Sequence, residues 1–141
     1  MDKKDMGAMI PRPATDEDIA LCQEDLAESG FPPLPADYVA FLQICNGAAF
    51  NGVELHGTDI VTDNETNFQL IDIVSFNEDI PFLEEMEYLK LLFFGRSDED
   101  IFTYNPETQK YEARDITGFD IWDDYDTFEA FFKGELKERF M

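Results

Sequence analysis

Apolar residues recur at helical steps in two early stretches of this chain. Ile19, Cys22 and Leu26 mark one buried stripe. Thr15 and Asp18 form a capping box before it, with Asp in place of the usual Glu, and predict a helix running to Ser29. Gly30 ends that helix, and Phe31 can fold back onto it as the contact after the cap. Tyr38, Phe41, Leu42 and Cys45 form the second stripe, at i, i+3, i+4 and i+7. Pro35 suits the first helical position, because its missing N–H is not needed there. Asn46-Gly47 is expected to close the helix, since both residues tolerate the left-handed conformation.

Further on, the pattern changes to short apolar runs broken by turn residues. Asn51-Gly52 between Ala49 and Leu55 predicts a tight hairpin. Leu91–Gly95 is a continuous apolar run ended by Gly, which fits a central strand buried on both faces. Ile101–Tyr104 and Lys110–Arg114 read as hairpin partners around the turn Asn105-Pro106-Glu107-Thr108. Phe68–Asn77 satisfies neither period cleanly, and a helix is expected there. Asp126 and Glu129 can cap a final helix carrying Phe128, Phe132, Leu136 and Phe140, with Gly134 interrupting it. The meander makes the sheet mostly antiparallel. Residues 1–14 read as a flexible lead-in closed by Ile10-Pro11-Arg12-Pro13, and 15–141 as a single domain.

Composition narrows the partners. Ten Lys and Arg against thirty-two Asp and Glu leave a net charge of −22. No Lys or Arg occurs between Arg12 and Lys90. Nucleic-acid binding, which needs clustered cations against phosphate, is disfavoured, and anionic membranes would repel such a surface. Cationic partners would be steered toward it, although the same charge also serves solubility and favours a monomer. Fourteen Phe residues and a 44% hydrophobic content support a real core. With no apolar leader after Met1-Asp2-Lys3-Lys4-Asp5 and no membrane-length apolar run, a cytoplasmic location is expected.

The search for chemistry yields little. His56 is the single histidine, so any Cys-His, Ser-His-Asp or two-histidine zinc site would need it; a surface or strand-edge role is the plainer reading. Cys22 and Cys45 have no zinc or redox spacing and sit on apolar stripes, as buried small hydrophobes do. Phosphate-binding glycine motifs are missing. Asp63-Asn64-Glu65-Thr66-Asn67 alternates oxygen ligands, but it lacks the glycine and the final Glu of a calcium loop, so solvated loop acids are the better reading. Asp120, Asp123, Asp124 and Asp126 surround Trp122 and read as turn and cap residues. Trp122, near Tyr125 and Phe128, could serve as an exposed binding anchor, but it is expected to seal the last helix onto the sheet. No metal or cofactor is called for.

The order of the pieces carries a resemblance. Gly30-Phe31-Pro32-Pro33-Leu34-Pro35-Ala36-Asp37-Tyr38, then Phe41-Leu42, then Asn46-Gly47-Ala48, resembles the opening signature of the SUKH superfamily, the domains similar to the fungal Smi/Knr cell-wall glucan synthesis regulators. Leu91–Gly95, the Asp-rich Asp98–Tyr104, and Trp122 with Thr127-Phe128-Glu129-Ala130-Phe131 match the later segments in order. Ala48 departs from the second Gly of the usual Asn-Gly-Gly. The resemblance implies an α+β fold, a twisted, mainly antiparallel sheet with helices packed against it. It also implies a non-catalytic binding role: toxin-neutralising immunity in bacterial relatives, regulation of wall assembly in fungal ones. An acidic immunity protein would mask a basic toxin. A regulatory scaffold is the alternative, and a carboxylate-based hydrolase a third reading that needs converging acids in a deep pocket. The acids expected to meet a partner are Glu84, Glu85, Asp98, Glu99, Asp100, Asp123 and Asp124.

Overall fold

The computed structural model describes residues 9–79 and 90–136. Helix α1 spans Asp16–Glu28, and the capping box is formed: the Thr15 hydroxyl accepts from the Asp18 N–H and the Asp18 carboxylate accepts from the Thr15 N–H, both at 3.0 Å. Phe31 N–H donates back to the Leu26 carbonyl at 2.9 Å, so the chain folds over the helix end as expected. Helix α2 spans Ala36–Leu42, with Pro35 as its N-cap.

Strands β1 (Ala48–Phe50) and β2 (Val53–Leu55) form the Asn51-Gly52 hairpin. Both turn residues have positive φ, 46° and 81°, which suits a tight two-residue turn between twisted strands. β3 (Val61–Thr62) and β4 (Gln69–Leu70) make a separate small ribbon, and helix α3 follows over Ile73–Glu78. β5 (Leu92–Arg96), β6 (Asp100–Asn105), β7 (Lys110–Asp115) and β8 (Ile121–Tyr125) complete the main sheet. Its order is β1-β2-β5-β6-β7-β8, and every neighbouring pair is antiparallel. Helix α4 spans Phe128–Phe131 and runs into a π-helical turn over Phe132–Leu136. The fold is thus α+β.

Alternation along the strands sorts the core. Phe94, Phe102, Tyr111 and Ala113 join the main cluster with residues of α1, α2 and α4. Phe93 and Ile101, one residue out of phase, join a smaller cluster with Phe76, Leu91 and Phe119. β5 is therefore buried on both faces, as its continuous apolar run predicts.

One joint connects distant segments on the main-core side. The Asp37 carboxylate, at the start of α2, accepts from the Tyr111 hydroxyl on β7 and from the Phe128 N–H of α4, the latter at 2.6 Å. Next to it, fully buried Tyr38 donates its hydroxyl to the His56 carbonyl at 2.6 Å and packs edge-on against Phe128, with centroids 5.1 Å apart.

Several expectations are corrected. Helix α2 ends at Leu42 and not at Asn46-Gly47. Asn46 instead uses its side chain to latch a loop, accepting from the Thr58 N–H and donating to the Thr58 hydroxyl, both at 2.8 Å. Phe68–Asn77 is not one helix: Gln69–Leu70 pair with β3, and the helix waits for Asp72, whose carboxylate caps it through the Ser75 N–H at 3.0 Å. The last helix is capped by Thr127, which accepts from Ala130 N–H, while Asp126 pairs with Lys110. Gly134 does mark the irregularity there. A Cβ at that position would lie 2.5 Å from the Tyr125 ring, so only glycine lets the turn close over it. Phe140 lies outside the described residues. The lead-in is tied down from Met9 onward: Met9 and Ala49 exchange two backbone hydrogen bonds, 2.7 and 2.9 Å, and Arg12 and Ala14 bond to Asn46 and Leu42.

Candidate functional site

β8 is the terminal strand of the sheet, and Ile121, Trp122, Asp123 and Asp124 are all exposed. Its sequence reads as turn residues because Asp has poor strand propensity. Pairing with β7 overrides that preference. Asp124 stands opposite Glu112, Asp123 opposite Ala113 and Ile121 opposite Arg114, which leaves Trp122 as the extra residue of a β-bulge.

Trp122 does not seal the last helix, contrary to expectation. It is 59% exposed, and Ile121 beside it is 47% exposed. The seal is made by Tyr125, which stands edge-on to Phe131 at 5.8 Å and donates its hydroxyl to Glu135. The bulge sets Trp122 apart from the regular pleat, and most of the residue faces solvent.

Asp126 takes Lys110. Arg114, the other cation of β7, is turned inward: its guanidinium bonds buried Glu112 at 2.8 and 3.0 Å and lies 4.6 Å above the Phe119 ring. Among the described residues no cation pairs with Asp120, Asp123 or Asp124. On the α4 side, burial first, and then hydrogen bonding with Asp123 and the Asp123 and Asp100 charges, raise the Glu135 carboxyl above its usual range; the Tyr125 hydroxyl opposes this.

The acids singled out from sequence therefore divide. Asp123 and Asp124 lie on the exposed β8 edge. Asp98 and Glu99 are exposed in the β5–β6 turn, and Asp98 approaches the Gly52 hairpin. Asp100 is buried and accepts from the Ser97 hydroxyl at 3.0 Å, so it serves the turn. Glu84 and Glu85 lie outside the described residues. Sequence reasoning missed Ile121, Tyr125 and Glu135. Their grouping depends on the bulge, which no local pattern announces, and on the π-helical turn that Gly134 marks only as an interruption.

Catalytic candidates fare differently. His56 is not on the surface; it is fully buried and stacked on Phe76, with centroids 4.0 Å apart. Its Nδ1 lies 2.8 Å from the Ile71 carbonyl and so carries the proton, which leaves Nε2 without a hydrogen-bond donor, 3.6 Å from the Glu54 carboxylate. Burial lowers its pKa to about 4. Burial, with the charges of Asp72, Asp25 and Asp59, pushes the Cys22 thiol up to about 12, so it is a poor nucleophile. A wide cleft of about 1180 Å³ opens between Met9–Pro13 and residues 59–66. Three of its acids have local duties: Asp18 caps α1, Asp59 accepts from Asn46 at 3.4 Å, and Asp63 holds its own turn through the Glu65 N–H and the Thr66 hydroxyl. Among the described residues, no group of three or more His, Cys, Asp or Glu is placed to hold a metal ion. No described helix is long and apolar enough to cross a membrane.

The model of the SMI1/KNR4 family (SUKH-1) matches residues 13–134. The chain belongs to that family. The match takes in α1, the Asp37-Tyr38 joint, the whole main sheet and most of the π-helical turn, so the SUKH-1 segments are the ones whose side chains meet in the core. The SUKH-1 family includes immunity proteins. No curated protein matches the chain.

Proposed function

We propose that this chain is an immunity protein that neutralises a basic toxin by binding it directly. The observation that carries the reading is SUKH-1 membership over residues 13–134, a family that includes immunity proteins. Charge gives the partner its sign. With −22 overall and an exposed Asp-rich strand edge, the surface attracts a cationic protein, such as a nuclease whose own surface must attract phosphate. Binding alone suffices for the function and asks no reaction of the chain. It acts in the cytoplasm as a monomer on this reading, where the toxin would otherwise do its damage.

Co-expression with the product of the neighbouring gene tests this. That product should arrest growth alone and be harmless beside this chain, and the two should copurify as one tight complex. A harmless product, or one still toxic in the chain's presence, overturns the reading. Several loosely bound partners with no toxicity to suppress would favour a regulatory scaffold instead.

A further inference from the structure

The main sheet has two edges, and among the described residues only the β8 edge is open. β1 is covered by Met9, whereas β8 pairs with β7 alone among the described strands. An open edge offers a row of unpaired N–H and C=O groups to any extended segment that can reach it. We propose that the outer edge of β8 takes up an extended, Lys- or Arg-bearing segment of a basic partner protein as an added strand, anchored on Trp122. This rests on the binding role proposed above and names its surface.

The occupant follows from charge and geometry. Asp123 and Asp124 point to opposite faces of the sheet, since they stand opposite Ala113 and Glu112. A strand added beside them finds a carboxylate on either face, whichever way its cations alternate. A second copy of this chain is the wrong occupant. Pairing two β8 edges would bring the acids of one against the acids of the other, and like charges set opposite each other destabilise a ladder. The five residues of β8 span about 17 Å, enough for one short strand. Trp122 and Ile121 supply the apolar contact at its start, and an indole face also attracts a guanidinium or ammonium group. On the α4 side, Glu135, which accepts from the Tyr125 hydroxyl, adds a further carboxyl group near the strand.

Trp122 is the only tryptophan, so its fluorescence reports this site specifically. The probe is a capped seven-residue peptide of alternating Lys and Val, titrated into the full chain. Its controls are the same peptide with Pro at the central Val, and an alternating Glu–Val peptide. The Lys–Val peptide should shift Trp122 emission to the blue and slow amide exchange within 121–125. The Pro peptide should bind several-fold more weakly and the Glu peptide not at all. The Asp123→Lys, Asp124→Lys double variant should lose about tenfold or more in affinity, with unchanged circular dichroism. Equal binding of the Lys–Val and Pro peptides, or protection appearing away from β8, overturns the proposal. The two readings separate once a toxin is in hand. A double variant that still neutralises fully removes the β8 edge and leaves the immunity role standing. A peptide that binds β8 in a chain that neutralises nothing does the reverse.

Discussion

The two edges of the main sheet are built from opposite materials. β1 is Ala48-Ala49-Phe50, all buried, and it is closed by two backbone hydrogen bonds from Met9. β8 is Ile121-Trp122-Asp123-Asp124-Tyr125, with four of its five residues exposed and no strand outside it among those described. An apolar edge left open would recruit other chains, so the protein covers it with its own backbone. An edge lined with carboxylates and broken by a bulge repels its own kind and can stay open. The closed edge belongs to the fold. The open one is available for function.

The largest effect comes from acid, acting on the closed side at the end of β2. His56 titrates near 6.5 when unfolded and about 4 when folded. Above pH ~6.5 both states hold it neutral and its contribution is intact. Between those values only the unfolded chain takes up the proton, so stability falls as pH falls, by about 3 kcal/mol in all. Glu54 and Glu135 work the other way, because burial raises both carboxyls and acidification relieves them. The difference between the wild type and His56→Phe isolates the histidine. Denaturant titrations from pH 7.5 to 4 should show the wild type losing more than the variant. Parallel curves would show that His56 is not held neutral.

Asp37→Ala comes next, and it loosens the body behind β8. Both hydrogen bonds from β7 and α4 to one carboxylate are lost, with an expected cost of about 2 kcal/mol by chemical denaturation. Tyr111→Phe should cost about 1 kcal/mol alone and much less in the Asp37→Ala background, because the pair shares one bond. Additive losses would mean that the joint is not a unit.

Smaller still is the direct attack on closure. A chain starting at Ile10 loses the Met9–Ala49 bonds and should drop by about 1 kcal/mol. Its more telling change is association. With Ala48, Ala49 and Phe50 on an uncharged open edge, sedimentation should show concentration-dependent self-association that the full chain lacks.

What the sequence revealed of all this depends on how local the cause is. The Thr15–Asp18 box, the Asn51-Gly52 turn and the doubly buried β5 are set by neighbours within a few residues, and each was legible. His56 was not, because its burial comes from Phe76 and the Ile71 carbonyl, brought over by a later part of the chain. Asp37 was legible as part of a family motif, but its duty to Tyr111 and Phe128 lies 74 and 91 residues away. Asp72 did carry a local cap signal for α3, which the mixed apolar pattern around it obscured. β8 is the sharpest case. Asp123 and Asp124 have the composition of a loop, and only the ladder to β7 makes them a strand. The acids were legible as a binding hint, while the edge that presents them was not.

The smallest expected effect is therefore the one that separates the two edges most cleanly. Trp122 is 59% exposed and stacks on no described ring, and the bulge holds it off the core. Trp122→Thr replaces it with a residue at home in a strand. Folding stability should change by less than about 0.5 kcal/mol, within the range of ordinary surface substitutions. A large aromatic side chain whose removal leaves the fold unmoved contributes nothing to the core it borders. If denaturation instead shows a loss of 2 kcal/mol or more, Trp122 is a structural residue and β8 is as closed as β1. If stability holds while toxin neutralisation falls, the same ring that is idle in folding is at work in binding.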